Sequence, residues 1–92
     1  MTRDDIKTKV LEILGEIAPD ADLQNIKPDV KFRDQIDIDS MDYLNFVIAL
    51  DEGFRAQIPE QDYTKFVTLN ACLDQLESLL KQMPPKSISN EL

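Results

Sequence analysis

Apolar residues recur every three or four positions in three separate runs of this chain, and proline closes each run. This pattern constrains the fold most, because a 3.6-residue period buries one stripe of a helix, whereas a strand needs a period of two. In the first run Ile6, Val10, Ile13, Leu14 and Ile17 share a face, Lys7, Lys9, Glu12 and Glu16 fill the other, and Pro19 stops the helix. Thr2 is suited to cap it, with Asp4 and Asp5 near its positive end. In the second run, starting near Ser40, the predicted buried face is Leu44, Val47, Leu50 and Phe54, flanked by Met41, Phe46 and Ile48. Asp39 is the expected N-cap and Asp42 suits the first turn. Gly53 weakens the last turn and Pro59 ends the segment. A short helical piece is expected around Glu60 to Phe66. In the third run Leu69, Cys72, Leu73, Leu76, Leu79 and Leu80 form the apolar face, Thr68 caps it, and Pro84 and Pro85 terminate it.

Residues 18–38 show no sustained period. Pro19, Asp20, Asp22, Asn25, Pro28 and Asp29 punctuate them, so the segment reads as a long loop with room for one helical turn. Loops of this length are uncommon in compact domains unless anchored or functional. Leu23, Ile26, Val30, Phe32 and Ile36 are the expected anchors. The expected architecture is all-α: three main helices plus one short one, with a long loop between the first and second. Residues 1–82 are expected to form the domain and 83–92 a frayed, flexible tail.

The chain has 92 residues, enough for one small core and too few for a deep site walled by its own elements. It carries 18 Asp and Glu against 10 Lys and Arg. Nucleic acid is therefore not an expected partner, since binding its backbone needs a basic face. The charge is uneven: from Asp34 to Asp62 there are eight acidic residues and a single basic one, Arg55. Such a field speeds encounter with a basic partner; it also keeps a surface solvated. One cysteine permits no internal disulfide, and the absence of histidine rules out Ser-His and Cys-His pairs within the chain. Cys72 is expected as a packed thiol. No apolar run approaches a membrane span and the N-terminus lacks a signal-peptide layout, so a soluble, intracellular chain is expected; a cytoplasmic location and a monomeric state are further expectations.

Asp37-Ile38-Asp39-Ser40-Met41-Asp42 sets a serine at the mouth of the second helix, where its hydroxyl should be exposed. Helix capping alone accounts for many such serines. A calcium loop does not fit. Starting at Asp37, it would put Met41 at a ligand position, Asp42 where glycine is needed and Ile48 at the final carboxylate. No metal site is expected. A paired-carboxylate hydrolase would need an enclosed pocket to raise one pKa, and nothing in so small a domain suggests one.

Phe32 to Pro59, FRDQIDIDSMDYLNFVIALDEGFRAQIP, resembles the acyl carrier protein family. That family's pattern is a Phe, an acidic residue, then Asp-Leu-Gly-x-Asp-Ser-Leu-Asp, followed by an amphipathic helix ending in a Phe and an Ile-Pro pair. Phe32, Asp34, Ile36, Asp39, Ser40, Asp42, Leu50, Phe54, Ile58 and Pro59 fall in register, and Thr68, Leu69, Ala71 and Leu73 extend the likeness into the last helix. The resemblance covers about residues 3–80. The chain departs at Gln35, where Asp is usual, at Asp37, where Gly is usual, and at Met41, where Leu is usual. Asp37 tolerates a left-handed backbone better than most residues. These departures suggest a specialised carrier.

The resemblance implies a four-helix bundle of the acyl carrier type. It also implies that Ser40 accepts 4′-phosphopantetheine from coenzyme A, delivered by a phosphopantetheinyl transferase that supplies the magnesium and the base. The arm's thiol would hold acyl groups as thioesters in fatty acid, polyketide or related biosynthesis, and the chain itself would not be an enzyme. Asp39, Met41, Asp42, Ile48, Asp51 and Glu52 are the expected contacts for acyl-transferring or condensing enzymes with basic docking surfaces. Leu44, Val47, Phe54 and Leu73 are the expected lining of a space for the acyl chain. The competing expectation is an unmodified helical adaptor that docks proteins through the acidic helix.

Overall fold

A computed structural model of the chain describes residues 1–82. In order, it contains α1 (Arg3–Ile17), a 3-10 turn (Leu23–Asn25), α2 (Phe32–Gln35), α3 (Ser40–Phe54), a 3-10 helix (Glu60–Lys65) and α4 (Leu69–Gln82). The described residues contain no strand. The all-α expectation of three main helices joined by shorter pieces holds. The expected stop at Pro84 and Pro85 and the tail at 83–92 lie outside the described residues.

Each long helix starts where its cap was expected. Thr2 Oγ1 accepts from the Asp5 amide at 3.1 Å, while the Asp5 carboxylate accepts from the Thr2 amide at 3.1 Å. This reciprocal box satisfies two amides that the helix leaves without internal partners. The backbone hydrogen bond from Thr2 also holds the Asp5 carboxyl below the usual carboxylate range. At α3 the Asp42 amide donates to Asp39 Oδ1 at 2.8 Å and the Asp39 amide donates to Asp42 Oδ2 at 3.3 Å. At α4 the Ala71 amide donates to Thr68 Oγ1 at 3.0 Å.

α1 packs against both α3 and α4, burying Ile6, Val10, Ile13 and Leu14 against Leu50, Leu69, Leu73 and Leu76 in one continuous core. Arg3 ties the start of α1 to α4, bridging Asp74 at 3.1 Å and also Glu77. Both glycines mark close approaches. A Cβ on Gly15 would lie 2.9 Å from Leu23 Cδ1, and one on Gly53 3.0 Å from Ile13 Cδ1. Gly53 therefore costs α3 some helix propensity but lets α1 lie close.

The buried face of α3 is rotated from the expected one. Phe46 is fully buried, whereas Leu44 is 39% and Ile48 38% exposed. The core-facing residues are Phe46, Val47, Leu50 and Phe54, with Tyr43 beside them. The reason is that α3 is apolar over much of its circumference, so period alone defines a wide arc and not its centre. The centre is set by Phe32, whose ring meets Phe46 edge-on with centroids 5.4 Å apart.

Phe32 arrives there because residues 18–38 hold more structure than the single helical turn expected. Leu23, Ile26 and Ile36 pack against the core as anchors, Val30 is half-buried, and Phe32 and Ile38 are buried within the core. The Phe32 amide donates to Val67 O at 2.8 Å and the Asn70 amide to Pro28 O at 3.0 Å, pinning the segment to the start of α4. Gln35 closes it internally. Its Oε1 accepts from the Lys27 amide at 2.8 Å, and its Nε2 donates to Lys27 O and Val30 O, each at 2.9 Å. An aspartate here could accept but not donate, which gives this departure from the family pattern a structural reason. Asp37 does not use its left-handed tolerance: the described positive-φ residues are Arg55, at 51°, and Gln57, at 55°.

Candidate functional site

Ser40 is the first residue of α3 and is exposed. Asp39 before it is extended, with φ −102° and ψ −173°, so the chain turns into the helix at the serine, and the Asp39–Asp42 box fixes that turn. Among the described residues no hydrogen bond engages the Ser40 hydroxyl. A phosphate ester formed there would face the positive end of the α3 dipole. An exposed, unengaged hydroxyl at a helix start fits a group attached by a separate enzyme that brings its own base.

Three apolar side chains continue from that point along the outside of α3: Met41, 63% exposed, then Leu44 and Ile48. Asp39 and Asp42 stand at the head of this strip and the exposed Glu52 lies further along the helix. Apolar contacts beside carboxylates suit brief docking to a basic surface, because exposed ion pairs steer encounter and add little affinity each. Asp51 has a second duty. It is half-buried, and its Oδ1 accepts from the Ile58 amide at 3.3 Å, bracing the turn after α3.

Known proteins decide what this arrangement belongs to. The chain is 30% identical over 78 residues to an acyl carrier protein of Lactobacillus johnsonii, covering 85% of this chain and 96% of that protein. It is 35% identical over 75 residues to acyl carrier proteins of Chlorobium phaeovibrioides and Chlorobium phaeobacteroides, covering 80% of this chain and 94% of each of them. The chain belongs to the acyl carrier protein family. No protein-family model matches it. As a family member it is a carrier and not an enzyme.

Within this carrier, the four residues expected to line an acyl space do not share one environment. Val47, Phe54 and Leu73 are buried in the core, at 0%, 7% and 4% exposure. Leu44, 39% exposed, is on the outer strip, as follows from the rotation of α3. A cleft of about 270 Å³ instead opens beside Ser40 itself. Phe32, Tyr43, Thr64 and Val67 line it, together with Lys31 and Arg33. A second depression of about 360 Å³ lies between Ile17–Asp22 and Gln35–Asp37. Among the described residues no three thiols or carboxylates converge as a metal site. No described helix is long and apolar enough to cross a membrane.

The sequence reading passed over Tyr43. Its hydroxyl donates to Tyr63 O and accepts from the Phe66 amide at 3.2 Å, joining α3 to the residues around the Glu60–Lys65 helix at the cleft wall. Burial pushes its pKa up to about 12, against an opposing pull from the Phe66 amide. The available signal was its position, three residues after Ser40 and four before Val47, on the inner side of α3. Cys72 is fully buried, as expected, with its thiol against Phe66 O at 3.5 Å; burial raises its pKa.

Proposed function

We propose that the chain carries 4′-phosphopantetheine on Ser40 and shuttles acyl groups between partner enzymes. The observation that supports this most directly is the exposed, unengaged Ser40 hydroxyl at the head of α3, within a chain of this family. In the attachment, Ser40 Oγ forms the new bond to phosphorus, the diphosphate bond of coenzyme A breaks, and adenosine 3′,5′-bisphosphate leaves. The transferase supplies the base and magnesium. Asp39, one residue away, would help hold that magnesium, since the ion prefers oxygen ligands. Once attached, the group supplies a thiol that holds the acyl unit as a thioester.

This chain's residues then present the arm. The Asp39–Asp42 box holds Ser40 at the surface. Met41, Leu44 and Ile48 give partners an apolar strip, while Asp39, Asp42, Asp51 and Glu52 attract their basic side chains. These partners are the transferase and acyl-transferring or condensing enzymes of fatty acid, polyketide or related biosynthesis. The carrier works as a monomer in the cytoplasm.

Incubation with coenzyme A and a promiscuous phosphopantetheinyl transferase, read by intact mass, tests the reading. One arm per chain is expected, and none on a folded Ser40→Ala variant. An unmodified wild type with a demonstrably active transferase would leave the unmodified adaptor as the correct description.

A further inference from the structure

The arm that the proposed function attaches to Ser40 carries a phosphodiester, and this is a difficult place for an anion. Asp37, Asp39 and Asp42 stand within three residues of Ser40, in a segment that holds one basic residue from Asp34 to Asp62. The α3 N-terminus offers partial relief, limited to its first turn. The nearby full positive charges come from another element: Lys31 precedes α2 and Arg33 lies within it, and both line the cleft that Ser40 lines. Neither forms an ion pair with any described residue. Both are exposed on a rim whose backbone is well fixed, because the intervening Phe32 is fully buried and its amide is bonded to Val67 O.

We infer that Lys31 and Arg33 hold the arm's phosphodiester, so that the resting arm lies back in the cleft between Phe32, Tyr43, Thr64 and Val67. The argument is charge complementarity at a fixed point of attachment. An anion tethered to Ser40 moves away from the aspartates and toward the unpaired cations. The guanidinium of Arg33 matches phosphate oxygens in a planar fork, while Lys31 adds a mobile point charge. Past the phosphate, the arm meets aromatic and apolar walls, and Thr64 offers a hydroxyl to its amides. The tie from Tyr43 to Tyr63 and Phe66 keeps those walls in place without the arm. Departure to a partner then requires breaking exposed ion pairs, which are individually weak, so the arm is parked but not trapped.

The inference rests on modification at Ser40, and the test separates the two. Apo and holo chains are compared by amide chemical shifts, with the attached arm confirmed by mass. The expected result is arm-dependent shifts at Phe32, Thr64 and Val67 as large as those at Met41. They should fall by more than half in Lys31→Gln/Arg33→Gln and be retained in Lys31→Arg/Arg33→Lys. Raising salt to ~1 M, where the screening length is about 3 Å, should shrink the same shifts in the unaltered chain and needs no substitution. If the mass increases but shifts stay confined to residues 39–42, or survive both the glutamine pair and the salt, the resting site is overturned alone. If no mass is added by an active transferase, the reading at Ser40 falls, and this inference with it.

Discussion

Phe46 and Leu44 sit two positions apart on α3 and have opposite fates. Phe46 fills the centre of the core against Phe32; Leu44 lies outside on the exposed apolar strip. Phe46→Ala should cost about 3–5 kcal/mol, the range for an aromatic removed from a packed core. Leu44→Ala should stay within about 0.5 kcal/mol, as expected for a surface change. Urea melts of the two variants check this, and equal losses would contradict the rotation of α3. Tyr43 adds a pH dependence. Its neutral form is favoured in the fold, with the pKa moved from 10.0 to about 12 mainly by burial. The linked stability is therefore complete below pH ~10 and is lost as pH rises towards ~12. Tyr43→Phe should start less stable, because the Phe66 amide and Tyr63 O lose their partner, and should show a shallower alkaline loss. Thermal melts across that window, beside the tyrosinate absorbance, give the comparison.

Among the elements, the segment from residue 18 to 38 shows how far pattern reading reaches. The long helices were legible because period and caps agree: Thr2, Asp39 and Thr68 each bond the amide three residues on. The Ser40 motif was legible for the same reason, since a cap followed by an amphipathic run announces an exposed first residue. The loop's order was not, because it comes from tertiary bonds without a sequence period, such as the Phe32 amide on Val67 O. The cleft joins Lys31 to Val67, residues with no common motif, and so could not be read from either stretch alone. Gln35 is the sharpest case. Gln35→Glu keeps the shape but turns two donated bonds into oxygen facing oxygen. It should cost about 1–3 kcal/mol, the penalty for a part-buried polar group deprived of partners. A guanidinium chloride titration reads the loss, and an unchanged midpoint would show the loop does not depend on that amide.

At the scale of the whole molecule, the excess negative charge is crowded onto the segment that also carries the site. Between Asp34 and Asp62 the balance is eight acidic residues to one basic, whereas the rest of the chain holds ten acidic and nine basic. Like charges held together in a fold repel more than in an expanded chain, and salt screens that repulsion over a Debye length of ~8 Å at physiological strength. The melting temperature should rise with sodium chloride and further with millimolar magnesium or calcium, whose binding should be loose. Asp37→Asn/Asp39→Asn/Asp42→Asn should reduce the rise. Calorimetry at several salt concentrations measures it, and a melting temperature indifferent to both salts would show that the acidic segment is unstrained.

If the cargo is held as a thioester, as the proposed function has it, burial of Cys72 has a chemical consequence. A surface thiolate on the same chain would be a rival acceptor: it could attack the loaded carbonyl, capture the acyl group and leave it on a side chain no partner enzyme recognises. Cys72 is sealed behind the helices and held protonated by its surroundings, so it has neither the access nor the ionisation to compete. On the proposed function, the thiol at the end of the arm then meets no rival cysteine on the surface of the described residues, and the carrier's fidelity as a courier depends on the integrity of its core.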